Sequence, residues 1–515
     1  MYLTQGLHRS VQQTPEATMT ICGGRRRTYR EVAERVARLA SAIRELGVRE
    51  GDRVAMLGLN SDRYHEYLLA VPWANAVLNP VNIRWSPAEI AYSLKDSTTR
   101  VLFVDDAFSR MLPAIKEAWP GLATVIHAGD GPLPEGAVSY EELIAAHDPV
   151  EDARRGGDEL AGLFYTGGTT GFPKGVMLSH ANLLTSAYGI AASGFAFQPR
   201  GTYLHAAPMF HLADLMAWNA EILHGGRHVF VPSFEPVAVM EAIEQHAVTD
   251  ALLVPTMVQM LIDHPELSEH DLTSFRAVFY GASPMPQPVL ERAMKVLPNA
   301  QFTQGYGMTE LSPVATLLSP ADHERPHLLR AAGRAAPCVE VRVVAPDGTE
   351  VPRGTVGEVV VRGGNVMLGY WNRPEETGAA VRNGWMHTGD GAYMDDEGYI
   401  YIVDRIKDMI VTGGENVYSA EVENAVAQHP AVAACAVIGV PDPAWGERVH
   451  AVVVLKPGAE ATSEEIREHA KTRIAGYKCP RSVDFVQTLP LSGAGKVLKR
   501  ELRESHCRQV AEQTH

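Results

Sequence analysis

Residues 165–175 read "YTGGTTGFPKG", with Gly167, Gly168, Gly171 and Gly175 set among Thr166, Thr169 and Thr170 and a single lysine, Lys174. Glycine frees a backbone to aim several N–H groups at one anion, and neighbouring hydroxyls add short donors, so the stretch suits a polyphosphate. It is not the Walker pattern: Lys174 follows Pro173 and precedes Gly175, where Gly-Lys-Ser/Thr is required. Kinase and P-loop hydrolase readings weaken accordingly, and the fold has to be read from the chain on either side.

Upstream, Thr28 and Glu31 form a capping box, and Val32, Val36, Leu39, Ile43 and Leu46 recur every three or four residues before Gly47. This predicts an amphipathic helix with both ends marked. A strand over Val54–Leu59, a helix near 63–76, a strand near 101–105 and a helix near 108–118 follow. Downstream, "HVFVP" (228–232), "ALLVP" (251–255) and "AVFYGAS" (277–283) repeat the alternation, the last ahead of "PQPVLERAMKVL". Strands separated by helices imply βαβ units and a largely parallel sheet, in which ligands collect beyond the strand ends. "YGAS" (280–283) and "QGYGMTE" (304–310) are therefore candidate walls of a site. From Pro337 the texture becomes short glycine-punctuated strands, and residues 419–488 read as a small α+β domain whose second helix is boxed by Thr462 and Glu465. The last residues, "RESHCRQVAEQTH", read as a frayed tail. The fold class expected is α/β: a large N-terminal domain of doubly wound α/β subdomains plus a β subdomain, and a small mobile α+β C-terminal domain.

Composition sets bounds on function. At 515 residues the chain exceeds one ordinary core. A hydrophobic share of 46%, a charged share of 21% and a formal net charge of -15 suit an α/β enzyme and argue against a dedicated nucleic-acid partner. "RRRTYR" (25–30), the densest basic spot, reads as a solvated hairpin turn beside Gly23 and Gly24. The cysteines Cys22, Cys338, Cys435, Cys479 and Cys507 are scattered and never spaced as Cys-x-x-Cys, so ordinary thiols are expected. No apolar run approaches the roughly 18–20 residues that span a bilayer, and the start lacks a basic region followed by an apolar one. A cytoplasmic location without an integral membrane segment is expected, and the oligomeric state stays open, a homodimer among the options.

Motifs in a fixed order then carry a resemblance. The loop Thr166–Gly175, "PMFH" (208–211), "GYGMTE" (305–310), "HTGD" (387–390), "DRIKDMIVTGGENVYSAEVE" (404–423) and "LPLSGAGK" (489–496) resemble those of the adenylate-forming superfamily, and within it the acyl-CoA synthetases. One departure is Gly167, where many members carry serine. The resemblance implies an adenylation domain over 1–403 and a C-terminal lid over 404–515. It also implies a two-step reaction: a carboxylate attacks the α-phosphate of ATP to give an acyl-adenylate and pyrophosphate, and the thiol of coenzyme A then displaces AMP.

The site residues it implies are these. Thr166, Gly167, Gly168, Thr169, Thr170, Gly171 and Lys174 hold the β- and γ-phosphates. Gly281, Ala282 and Ser283 admit the adenine, on which Tyr306 stacks within the run Gly305, Tyr306, Gly307, Met308. Thr309 meets the α-phosphate, and Glu310, with Thr166, offers Mg2+ the hard oxygen ligands it prefers. Asp390 accepts the ribose hydroxyls, with Arg405 reaching the same ribose or phosphate, and Lys496 bridges carboxylate and α-phosphate in the transition state. Lys407 is the hinge, and Gly413, Gly414 and Glu415 belong to the coenzyme A tunnel. His211, Tyr280 and Gly305 face the acyl group.

The acyl pocket is expected from mainly apolar segments, with Met209, Phe210, Leu212, Leu215, Met216 and Trp218 clustered and no lysine or arginine among them. A second carboxylate would need a cation there, so a monocarboxylic acid with an apolar tail is favoured, such as a medium- or long-chain fatty acid. His205 and Asp214 could instead orient an aryl hydroxyl, which keeps cinnamate- and benzoate-type acids open. A stand-alone enzyme loading a carrier protein and a non-enzymatic nucleotide sensor are the remaining readings.

Overall fold

The structure is a computed structural model, and it describes residues 1–166, 173–413, 415–443, 445–491 and 497–513. It divides into two compact units, Met1–Val341 with Val361–Met386, and Arg342–Val360 with His387–His515.

Two sheets organise the first unit. In one, the strands Gln301–Gly307, Ala277–Gly281, Asp250–Leu253, Thr202–His205, Arg227–Phe230 and Thr18–Cys22 lie side by side and parallel, with antiparallel strands Val314–Leu318 and Arg25–Thr28 next to the outer two. In the other, Leu160–Thr166, Val77–Pro80, Arg53–Leu57, Val101–Val104 and Thr124–His127 run parallel, and Lys174–Ser179 and Gly369–Tyr370 extend it antiparallel beyond Leu160–Thr166. Helices link these strands, as the βαβ reading requires. Tyr29–Glu45 starts at the expected capping box, with both reciprocal bonds made, and Asp62–Trp73 is buried along its whole length. The segment near 108–118 opens as a 3-10 turn, Ser109–Met111, and becomes α-helical only at Leu112, where Pro113 takes the second position and gives up no helical bond.

In the second unit, Glu415–Val417, Ile410–Thr412, Gly446–Leu455 and Val432–Asp442 form a sheet joined by Ser482–Phe485 on Gly446–Leu455. Alternation along Val432–Asp442 sends Val437 to one face, with Ile410, Val422, Val453 and Ile466 under the helices Ser419–Ala427 and Ser463–Lys471, and Ala436, Ile438 and Val440 to the other.

Two local expectations are corrected. The tail is not frayed: Lys499–Gln513 is a helix whose Leu502 is buried with Ala436, Ile438, Val440 and Val452. The basic hairpin exists, pairing Cys22 with Arg25, and Arg26 is exposed on it, but Arg25 and Arg27 are drawn to buried acid. Arg25 and Arg27 both bind the buried Asp62, and Arg25 also binds Asp130. Burial alone would raise the Asp62 carboxyl, yet the two guanidinium groups outweigh it and hold it at about 2. Cys22, Cys338, Cys435 and Cys479 are free thiols, and among the described residues no helix is long and apolar enough to cross a membrane.

Candidate active site

In the first unit, the final rungs between Leu160–Thr166 and Lys174–Ser179 pair Tyr165 with Gly175 and Thr166 with Lys174. That ladder fixes both ends of the glycine–threonine stretch, while Gly167, Gly168, Thr169, Thr170 and Gly171 lie outside the described residues. A Cβ on Gly175 would stand 3.1 Å from the Tyr165 ring and 3.4 Å from Trp371, so the glycine allows the aromatic pair to close on the strand. Asp96 binds both rings: the Tyr165 hydroxyl donates to its carboxylate at 2.7 Å and the Trp371 indole N–H to its carbonyl at 3.0 Å. Burial, helped by that carboxylate, pushes the Tyr165 phenol well up.

Lys174 pairs with Glu376 on the helix Pro374–Ala380, and its ammonium lies 5.3 Å from the centre of the Tyr370 ring. The Tyr370 hydroxyl in turn donates to Glu310 Oε1 at 2.8 Å. One tyrosine thus joins the expected phosphate lysine to the expected metal carboxylate. Glu310 sits in the turn Thr309–Leu311, which Asn365 pins: its amide donates to the carbonyls of Leu311 and Val314, each at 2.7 Å, and Met367 N–H donates to the Glu310 carbonyl at 2.9 Å. A buried carboxylate held by a neutral donor is a hard oxygen ligand, and with the Thr309 hydroxyl one residue away this donor set fits Mg2+.

The expected nucleotide wall lies at the ends of two parallel strands, in which Gly281 is paired with Gly305. A Cβ on Gly281 would stand 2.2 Å from the Gly305 carbonyl, one on Gly305 2.4 Å from the Phe279 ring, and one on Gly307 1.8 Å from the Pro313 carbonyl. These glycines are set by close backbone packing. Ala282 follows with φ +65, an exposed left-handed residue at the strand exit, and Ser283, Tyr306, Met308 and Thr309 are half-buried.

Around the expected acyl group, His211 is half-buried at the start of the helix Leu212–His224, its ring centre 4.0 Å from that of Phe210. Tyr280 is fully buried and its hydroxyl is taken up by His323 at 2.9 Å and Gln304 at 3.3 Å. His205 and Asp214 are likewise fully buried. Nδ1 of His205 meets Asp214 at 2.7 Å and Nε2 meets His228 at 3.0 Å, so both ring nitrogens are occupied within the protein and neither is left for an aryl hydroxyl. Met209, Phe210, Leu212, Leu215, Met216 and Trp218 are all buried.

In the second unit, Asp390 and Arg405 are directly paired residues of the strands Trp385–Met394 and Ile400–Arg405, and Arg405 Nε lies 2.7 Å from Asp390 Oδ1. Glu358 steadies the turn before Asp390 by accepting Gly389 N–H at 3.0 Å while it faces His387 at 2.7 Å. The backbone at Lys407 forms the turn Ile406–Asp408, though the side chain lies outside the described residues, as do Gly414 and Lys496. Gly413 has φ +61, and a Cβ there would stand 2.5 Å from the Trp445 ring, so the space beside it is filled by that indole. Glu415 follows, exposed, on the next strand.

Sequence reasoning missed Tyr370, Asn365, Glu376 and Trp371. The signal was available in "GYW" (369–371), a glycine and two aromatics directly ahead of the polar run "NRPEET" (372–377).

Comparison with known proteins agrees with this geometry. Residues 7–371 match the AMP-binding enzyme family, and residues 421–496 match the AMP-binding enzyme C-terminal domain. The chain is 42% identical over 500 residues to a feruloyl-CoA synthase of Amycolatopsis sp, covering 96% of this chain and 97% of that protein. It is 38% identical to a long-chain-fatty-acid–CoA ligase of Thermus thermophilus, covering 93% and 90%. Among solved structures, the anthranilate CoA ligase AuaEII in complex with anthranoyl-AMP superposes with a TM-score of 0.92 at 28% identity, covering 99% and 98%. With both family models matched in order along its length and relatives covered nearly end to end, the chain belongs to the AMP-binding enzymes of the adenylate-forming superfamily and is an AMP-forming acid–thiol ligase.

Proposed function

We propose that this ligase activates an apolar monocarboxylic acid with ATP and transfers the acyl group to coenzyme A, releasing AMP and diphosphate. The observation that carries the choice of acid is the charge of the expected pocket segments. No lysine or arginine occurs over 202–226, 277–283 or 301–318. Several buried polar groups there are closed on one another, Tyr203 and His205 on Asp214 and Tyr280 on His323. A second carboxylate would find no counter-charge from these segments. Fatty acids and cinnamate- or benzoate-type acids both meet the requirement, and the two named relatives act on one of each kind. The occupied His205–Asp214 pair favours an aliphatic tail over one that needs a hydroxyl oriented there.

In this reading Lys174 leaves Glu376 for the β- and γ-phosphates, and Thr166 and the glycine-rich stretch supply further donors. Glu310, with Thr166, would hold Mg2+, whose charge offsets that of the phosphates when bound. Thr309 meets the α-phosphate, Tyr306 the adenine, and Asp390 with Arg405 the ribose. Lys496 neutralises charge that develops between carboxylate and α-phosphate, a preorganised contact whose loss commonly costs on the order of 100-fold or more in rate. The same space must then admit sulfur, so the small C-terminal domain is the moving lid, pivoting at the hinge residue Lys407, with Gly413, Gly414 and Glu415 on the thiol's approach.

The test is AMP release and pyrophosphate exchange into ATP over saturated fatty acids, ring-substituted cinnamates and benzoates, and malonate or succinate, with and without coenzyme A. Monocarboxylic acids should exceed the dicarboxylates by at least tenfold in kcat/KM, with exchange persisting when coenzyme A is omitted. A dicarboxylate as the best substrate, or formation of ADP, overturns the proposal.

A further inference from the structure

On the face of the second unit's sheet covered by the tail helix, three side chains converge that the ligase reaction does not use. His450 lies on Gly446–Leu455, Asp484 on Ser482–Phe485, and His506 on Lys499–Gln513. The register pairs His450 with Ser482 and Val452 with Asp484, so His450 and Asp484 fall on one face. His506 follows the buried Leu502 by one helical turn and so points to that same face.

The spacing of their atoms is at the long end for this protein. The other histidine–carboxylate contacts among the described residues run from 2.7 Å at His8–Asp152, His205–Asp214 and His387–Glu358 to 3.2 Å at His270–Glu244. Here His450 Nε2 and His506 Nδ1 stand 3.3 and 3.4 Å from the same oxygen, Asp484 Oδ2. Bonds of about 2.0–2.1 Å to a tetrahedral ion place its ligand atoms roughly 3.3 Å apart. The third edge, between the two imidazoles, lies within 4.8 Å and closes by rotation of His506, which is 12% exposed on its helix. His450 is fully buried, and its Nε2 has no hydrogen-bond partner. Its Nδ1, 2.8 Å from the Ser482 hydroxyl, can donate there, which leaves the Nε2 lone pair directed into the cluster.

We propose that His450, Asp484 and His506 form a binding site for a divalent transition-metal ion, with Zn2+ the best fit. Two imidazole nitrogens and one carboxylate oxygen match zinc and exclude a site built for Mg2+, which takes oxygen ligands. Asp484 is 44% exposed, so water reaches the remaining position. One group opposes the ion: Arg448, two residues before His450 on the same strand, has a guanidinium nitrogen 3.5 Å from His506 Nε2. Its charge weakens the site, so removing it should tighten binding. A bound ion would fasten the tail helix to the sheet, adding to Leu502 and to the Arg503–Asp408 pair.

The test uses the untagged full chain, stripped with a chelator and titrated with zinc chloride against a chromophoric competitor. One ion should bind the wild type, at least tenfold more weakly to His506→Ala and to Asp484→Asn, and at least threefold more tightly to Arg448→Ala. Zinc should raise the wild-type melting temperature and slow amide exchange over 499–513, and should do neither in His506→Ala. Both weakening substitutions fall on partly exposed side chains, and circular dichroism checks that they fold. Absence of stoichiometric binding by the wild type, or equal binding by both of these variants, overturns the proposal.

Discussion

Tyr370 touches two charged groups of the site at once, its hydroxyl on Glu310 and its ring beneath Lys174. The two contacts can be separated. Phenylalanine keeps a ring face for the lysine and removes the donor to the carboxylate, and losing such an outer hydrogen bond at a metal ligand costs about 10- to 100-fold. Tyr370→Phe should therefore lower kcat/KM for ATP by about tenfold, with part of the loss recovered at high Mg2+. Steady-state kinetics across a magnesium series reads this, and a Mg2+-independent loss would assign the hydroxyl some other role. Lys174, Thr309 and Glu310 stand out as candidates in the sequence because each lies inside a local motif. Tyr370 does not, because its contact with Glu310 bridges 60 residues and depends on Gly369–Tyr370 pairing with Met177 and Val176.

At the scale of elements, the two strands of the expected nucleotide wall approach so closely that Gly281 has no room for a side chain against Gly305. Gly281→Ala would drive a methyl group into the Gly305 carbonyl, which belongs to the backbone of a paired strand and cannot swing aside. The expected cost is about 1–3 kcal/mol of stability, with impaired nucleotide binding, measured by denaturant titration and by ATP-dependent thermal shift. Elements with strong local signals were legible from sequence: the boxed helices after Thr28 and Thr462, and the strands ahead of glycine-rich turns. The tail helix was not. Seven of its 15 residues are charged, and among the described side chains Leu502 is the buried anchor, so its pattern resembles that of a solvated tail until the sheet face beneath it is known. The basic hairpin was misjudged for the same reason, since Asp62 and Asp130 lie far along the chain from the arginines they bind.

At the scale of the molecule, burial of uncharged histidines makes stability depend on pH. His65 is fully enclosed, accepts the Trp218 indole N–H at 2.8 Å, and is pushed down to about 3 by burial first and by His205 second. Its folded value lies below the unfolded one of about 6.5, so its contribution is complete above that pH and is lost as pH falls toward 3. Asp250, raised to about 7 by burial, titrates in the opposite sense but equally in wild type and variant, and so cancels in their difference. Glutamine at position 65 can still accept from Trp218 and cannot gain a proton. Between pH 6 and pH 4 the unfolding free energy of His65→Gln should fall less steeply than that of the wild type, by up to about 1.4 kcal/mol per pH unit. Parallel profiles from urea titrations would show that His65 takes up its proton without unfolding.

Arg405 ends the ladder that pairs it with Asp390, and Ile406 is the first residue beyond it. If the lid pivots after that last rung, the arginine does not travel with it. In the proposed ribose role it would stay as a fixed post beside the sugar through both chemical steps, so swapping it should slow adenylate formation and thiol capture alike, unlike any residue that visits only one of them.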